Sequence, residues 1–281
     1  MAEDCSCNKT SCSGCESEGN CSQTPKGPES FLEPLNAASS IKKVIGVASG
    51  KGGVGKSFVT ASLASAMTRA GYKVGILDSD ITGPSIPKMY DVHGPAVGTE
   101  NGILPIPAKD GTKIMSINLL VNDEESPVVW RGPILAGTVK QFWSEVCWGE
   151  LDYLFVDMPP GTGDVPLTVF QSLPLDGIVI VTSPQDLVEL IVKKCFNMAT
   201  MMNIPVLGVV ENYSYFECPH CGEKISVFGE SNIDATAKEL DIEVLAKLPM
   251  NPDYAKAADD GVFETLEVGG LEKALEKVKA L

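Results

Sequence analysis

From residue 41 onward, short apolar runs alternate with stretches patterned at helical spacing. The runs are KKVIGVAS (42–49), KVGILD (73–78), KIMSINLL (113–120), DYLFVDMP (152–159), GIVIVTS (177–183), VLGVVEN (206–212) and EVLAKLP (243–249). Each is rich in Val, Ile and Leu and nearly continuous in apolar character, as strands covered on both faces read. Helices are expected between several of them, over 57–70, 133–147, 185–202 and 231–240. Strand and helix repeating in this order predict an α/β fold, a mostly parallel sheet with helices on both faces. The tail GGLEKALEKVKAL (269–281) puts Leu271, Ala274, Leu275, Val278 and Leu281 on one helical face. Its charges sum to only +1, so docking onto the domain is favoured over a membrane surface.

Residues 1–40 break this pattern. They hold Cys5, Cys7, Cys12, Cys15 and Cys21 among Ser, Gly, Asn and Glu, with almost nothing apolar before Phe31. The expectation is a flexible cysteine-rich arm over 1–40, ordered only if a metal gathers it, followed by one domain over 41–281.

Composition narrows the function classes. Lysine and arginine total 22 against 37 acidic residues, a formal charge of −15. So acidic a chain is a poor match for broad nucleic-acid binding, which depends on neutralising phosphates. No apolar run approaches the roughly 20 residues of a membrane-spanning helix. Met1–Asn20 is polar and acidic, unlike a signal peptide, so the expected location is the cytoplasm. There, nine cysteines point to metal ligands or free thiols before disulfides.

The segment GKGGVGKS (50–57) lies between the first strand and the first helix and matches G-x-x-x-x-G-K-[ST]. Gly50, Gly52, Gly53 and Gly55 let the loop curl, with Lys51 and Val54 between them, so that backbone N–H groups face an anion. The helix that follows adds the positive end of its dipole. Lys56 is expected on the outer phosphates of ATP, and Ser57 on Mg2+. Asp157 ends the strand YLFVD, the place of a carboxylate that meets Mg2+. Asn212 ends a strand at the edge of the sheet where a nucleotide would lie. An asparagine there is also a common turn residue.

With Lys51 directly after the first glycine, the loop resembles the deviant P-loop of the MinD/ParA superfamily. The motifs SGKGGVGKS, DSDITGPSIP, VVWRGP (128–133), DYLFVDMPPGTGD and ENYSYFECPHCGE together resemble the Mrp/ApbC/Nbp-type iron–sulfur cluster carriers of that superfamily. The resemblance covers about residues 41–260. It implies a homodimer with slow ATP hydrolysis, in which Lys51 reaches the partner's nucleotide. It also implies that Asp80 positions the attacking water and that Asn212 reads the adenine. The cargo it implies is a transferable [4Fe-4S] cluster, handed to apoproteins.

Cys218 and Cys221, two residues apart in ECPHCGE, make half of a four-thiolate set. A two-fold dimer brings the same patch of both copies together, so Cys218 and Cys221 from each would complete it. Zinc shares this geometry and stays open here. The expected hairpin insertion covers 213–229. In the arm, Cys12, Cys15 and Cys21 resemble the N-terminal cluster motif of the Nbp-type members. Those carry a further cysteine upstream that this sequence lacks, so Cys7 or Cys5 is the fourth ligand, with Cys7 preferred. Cys147 and Cys195 are expected to be buried structural thiols on helices. The rival readings are a MinD/ParA-like positioning ATPase with structural zinc and a nitrogenase-type reductase. The reductase draws a thiolate from just past its second switch, where MPPGTGDVPLTV (158–169) has none.

Overall fold

The computed structural model describes residues 31–121, 132–184 and 188–281. The arm cysteines and residues 128–131 of VVWRGP lie outside them. In chain order the elements are β1 Ser40–Ala48, α1 Lys56–Arg69, β2 Val74–Asp78, α2 Ile86–Met89, β3 Gly98–Thr99, β4 Gly102–Ile103, β5 Ile106–Pro107, β6 Lys113–Met115 and α3 Gly132–Ser144. They continue with β7 Glu150–Asp157, α4 Asp164–Ser172, β8 Gly177–Thr182, α5 Val188–Met201, β9 Val206–Glu217, β10 Lys224–Ile225, α6 Ile233–Glu239, β11 Val244–Met250, α7 Pro252–Asp259 and α8 Glu272–Lys279.

The main sheet runs β10-β9-β8-β1-β7-β2-β6-β5, with β11 on the other side of β9. Pairing is parallel except at β10 and β5. This is the mostly parallel α/β architecture that the apolar runs predict. Because β1 lies between β7 and β8, the loop after it opens mid-sheet, beside the ends of β7 and β2.

Two apolar layers explain the continuous apolar runs. Along β7, Leu154 and Val156 pack into one layer with α3, α4, α5 and α6. Tyr153 and Phe155 face the other layer, built with α1 and α8. The tail helix docks as expected: Leu271 and Val278 are 1% and 0% exposed. Each such burial is worth on the order of 1.5–3 kcal/mol, enough to hold a two-turn helix. Leu281, placed on the same face from sequence, is 38% exposed.

Three boundaries differ from expectation. The run 113–120 is a strand only to Met115, and a 3-10 turn at Ile117–Leu119 buries Ile117 and Leu119 while Leu120 is exposed. The helix expected over 133–147 ends at Ser144, so Cys147 is not helical. It sits in the loop before β7, where its Sγ donates to the Asn101 carbonyl at 3.0 Å. Finally, β9 does not stop at residue 212 but runs on to Glu217. No described helix is long and apolar enough to cross a membrane.

Candidate functional site: a nucleotide cleft and a cysteine hairpin

Residues 50–55 form a loop between β1 and α1, and Gly53 and Gly55 take left-handed backbone angles of 79° and 83° in φ. An added Cβ at Gly55 would also run into the Asn212 amide. Glycine is thus required there both by conformation and by close approach. The first turn of α1 carries no acidic residue, so its N-terminal N–H groups are left for an anion. Lys51 is exposed on this loop.

The side chains below the loop form one buried network. Asp157 is wholly buried and lies 2.8 Å from Lys56 Nζ. Ser57 Oγ donates to its other oxygen at 2.5 Å. Thr60 Oγ1 donates to Asp157 Oδ1 at 2.8 Å, and Ser79 Oγ donates to the Asp157 carbonyl at 2.7 Å. Asp80 sits 3.7 Å from Lys56 Nζ. Asp78, opposite Asp157 in the sheet, is wholly buried and accepts from Ser116 Oγ at 3.2 Å. Burial pushes the Asp78 carboxyl well above the usual carboxylate range, and the neighbouring Asp157 pushes it further. Burial also raises Asp80, against the pull of Lys56. Two carboxylates, Asp157 and Asp80, thus share one buried lysine, an imbalance that a divalent cation would correct.

Of these, Lys56, Ser57 and Asp80 line a cleft of about 550 Å3, with the buried Asp157 bonded beneath them. Lys56, Ser57 and Asp80 stand at its phosphate end, while Tyr213, Asn251 and Tyr254 line it elsewhere. Tyr254 stacks on Phe58 at 5.3 Å between centroids. Two buried polar atoms on the cleft wall have no partner, Ser49 Oγ and Asn212 Oδ1. Asn212 Nδ2 donates to the Val54 carbonyl at 3.1 Å, so one half of the amide holds the P-loop and Oδ1 remains as an acceptor. A glycine cradle, a helix N-terminus, a buried lysine and unmet polar groups fit a nucleotide carrying phosphates and a divalent cation.

Past Asn212, β9 leads directly to the cysteines. The turn Pro219–Cys221 closes on Cys218: Gly222 N donates to the Cys218 carbonyl, and Cys218 N donates to the Glu223 carbonyl, both at 2.9 Å. Gly222, at φ 73°, lets the chain turn back into β10. Cys218 is half-buried and Cys221 exposed. The backbone N–H groups of His220 and Cys221 point at the Cys218 sulfur and hold its thiol below the usual range. His220 is exposed in the turn. Among the described residues, no three Cys, His, Asp or Glu side chains gather into a metal-sized group, so one chain supplies this hairpin with two thiols.

The fold thus brings Lys56, Ser57, Asp80, Asp157 and Asn212 to one cleft and sets Cys218 and Cys221 apart on the hairpin. Sequence reasoning missed Thr60, Ser79, Phe58 and Tyr254. Thr60 was recoverable, because it lies one helical turn after Lys56 on the same face. Nothing local marks Tyr254, which meets Phe58 only through folding.

Residues 40–280 match the family model described as ParA, NUBPL iron-transfer P-loop NTPase. The chain is 47% identical over 259 residues to the iron-sulfur cluster carrier protein of Methanocaldococcus jannaschii, covering 89% of this chain and 88% of that one. It is 43% identical over 266 residues to the protein of the same name from Clostridium perfringens, covering 90% and 93%. Among solved structures it resembles an Archaeoglobus fulgidus nucleotide-binding protein in complex with ADP, in which cobalt was found. That likeness has a TM-score of 0.72 and 44% identity over 80% of this chain and 88% of that chain. The cell-division ATPase MinD of Pyrococcus furiosus shares the fold alone, at 20% identity and a TM-score of 0.62 over 85% and 99% of the two chains. With its P-loop, its buried Lys56–Asp157 pair and its CxxC hairpin in place, the chain belongs to the iron-transfer P-loop NTPases, the family of the iron-sulfur cluster carriers.

Proposed function

We propose that this protein is an ATP-dependent iron–sulfur cluster carrier of the cytoplasm. Two copies hold one [4Fe-4S] cluster between their Cys218–Cys221 hairpins and pass it to apoproteins. The observation that carries the reading is the hairpin: two thiols, one of them exposed, at the end of the strand whose Asn212 grips the P-loop. A cluster of this kind takes four thiolates. A two-fold interface doubles whatever one copy presents, so two per chain suffice. Exposed ligands suit a cargo that must leave, whereas a resident centre is better enclosed.

In the cleft, Lys56 and the backbone of Gly50–Gly55 bind the phosphates of ATP, Ser57 and Asp157 hold Mg2+, and Asn212 Oδ1 accepts from the adenine. Asp80 orients the attacking water, and Lys51 reaches the partner's nucleotide. The arm cysteines, Cys7, Cys12, Cys15 and Cys21, bind a second cluster.

Anaerobic reconstitution with iron and sulfide tests this, followed by iron analysis, absorption and Mössbauer spectra and solution mass. The intact chain is expected as an iron-loaded dimer, with a 4Fe–4S signature. The Cys218→Ala/Cys221→Ala variant is expected to lose the bridging cluster. Deletion of residues 1–30 is expected to lower iron per chain and leave the dimer. A deletion variant that holds its hairpin iron as a monomer would refute the shared site.

A further inference from the structure

Glu211 has no part in the roles above, yet it is wholly buried in β9, between β8 and β11. Among the described residues no cationic side chain pairs with it. Two hydroxyls meet it instead: Ser214 Oγ donates to Oε2 at 2.6 Å, and Ser231 Oγ donates to Oε1. A carboxylate buried without a counter-charge costs several kcal/mol unless its oxygens are well bonded. The two serines stand on either side of the cysteine turn, Ser214 on the outgoing strand and Ser231 after the return. Ser231 Oγ also accepts from Ile233 N at 3.1 Å, at the start of α6. One carboxylate therefore staples both feet of the hairpin to β9, between β8 and the edge strand β11.

The neighbouring residues reach the nucleotide cleft. Asn212 Nδ2 holds the Val54 carbonyl of the P-loop at 3.1 Å. Tyr213 lines the cleft and takes a left-handed φ of 59°. A bulky residue there stores on the order of 1–3 kcal/mol of strain. The β9–β11 register slips at this point: Lys247 opposes Glu211, but Pro249 opposes Tyr215. Such an irregularity re-aims side chains. Here it turns consecutive residues to different tasks: Glu211 and Ser214 to the hairpin, Asn212 to the P-loop.

We propose that Glu211 is a positioning residue. Through Ser214 and Ser231 it sets the hairpin bearing Cys218 and Cys221, and it passes displacement of the P-loop, held by Asn212, to those thiols. The meaning of the thiols rests on the proposed carrier role, but the linkage is a property of the protein without iron. A nucleotide shifts the hairpin only by binding its two arrangements with different affinity.

The experiment uses the full-length, reduced, iron-free chain. Alkylation rates of Cys218 and Cys221 by iodoacetamide are read by site-resolved mass spectrometry, with Mg2+ and with no nucleotide, ADP or a non-hydrolysable ATP analogue. In the wild type, the ATP analogue is expected to change the rates by about fivefold or more, the lower end of ordinary coupling between sites. Ser214→Ala/Ser231→Ala is expected to bring that ratio to about one, with the nucleotide Kd held within about twofold. Ser231→Thr, which keeps the hydroxyl, should preserve the ratio. Should the double variant fold poorly by circular dichroism, Ser231→Ala alone, at a half-buried position, carries the same expectation. An alanine variant that keeps the wild-type ratio overturns the proposal, and so does a wild type blind to nucleotide. A serine-dependent ratio in a chain that takes up no iron supports the clamp and refutes the carrier reading. Iron bridging two copies without any ratio does the reverse.

Discussion

At the P-loop the functional groups are sunk into the protein and satisfied by one another: Lys56 is 6% exposed, and Asp157 and Thr60 are 0% exposed. At the far end of β9, Cys221 is exposed and Cys218 half-buried, with no third metal ligand beside them among the described residues. The two regions differ in who completes the binding shell. In the cleft, backbone N–H groups, Lys56, Ser57 and Asp157 come from a single chain, so geometry is set by folding. On the hairpin the turn fixes two sulfurs, and in the proposed carrier a second copy supplies the rest of the shell. A held substrate favours the first arrangement, and a cargo in transit favours the second.

The cleanest way to break that contrast is Lys56→Ala. ATP hydrolysis, followed by phosphate release, should fall by about a hundredfold or more, as a buried charge aimed at phosphate is lost. Iron held at the hairpin should be unchanged, and a parallel loss of iron would join the two regions. The reciprocal variant, Cys221→Ala, should remove nearly all hairpin iron while nucleotide binding by calorimetry stays within about twofold.

A smaller effect is expected at Gly55→Ala, where the left-handed backbone and the Asn212 amide both oppose a side chain. Stability to urea should drop by about 1–3 kcal/mol, with weaker nucleotide binding. Cys218→Ala, outside the cleft, should not copy this.

The smallest effect separates interior from surface cysteine. Burial pushes the Cys195 thiol up from 9.0 to about 12. Its contribution is complete below pH 9 and fades as pH rises towards 12, because the unfolded chain gives up that proton first. Unfolding between pH 9 and 10 should show a loss of about 1 kcal/mol that Cys195→Ala lacks.

Much of the cleft was legible in the residue order. The GKGGVGKS segment works through neighbouring backbone groups, so its signal is contiguous, and its place between β1 and α1 follows from the apolar run before it. The same locality made β2, β7, β8 and the tail helix readable. Periodicity was less reliable at 113–120 and at Cys147, where a 3-10 turn and a loop bury apolar residues as well as a strand or helix would. Asn212 was found, but its hold on Val54 was not, since 158 residues separate the two.

Residue order thus suffices for whatever depends on near neighbours: the alternation of strand and helix, the phosphate-cradling loop and the spacing of Cys218 and Cys221. Folding decided the rest. It set Thr60 and Ser79 around Asp157, left Asn212 Oδ1 and Ser49 Oγ unmet on the cleft wall, and joined Ser214 and Ser231 through Glu211. The reason is that a buried polar group must find its partner in space, and distance along the chain puts almost no constraint on where that partner lies.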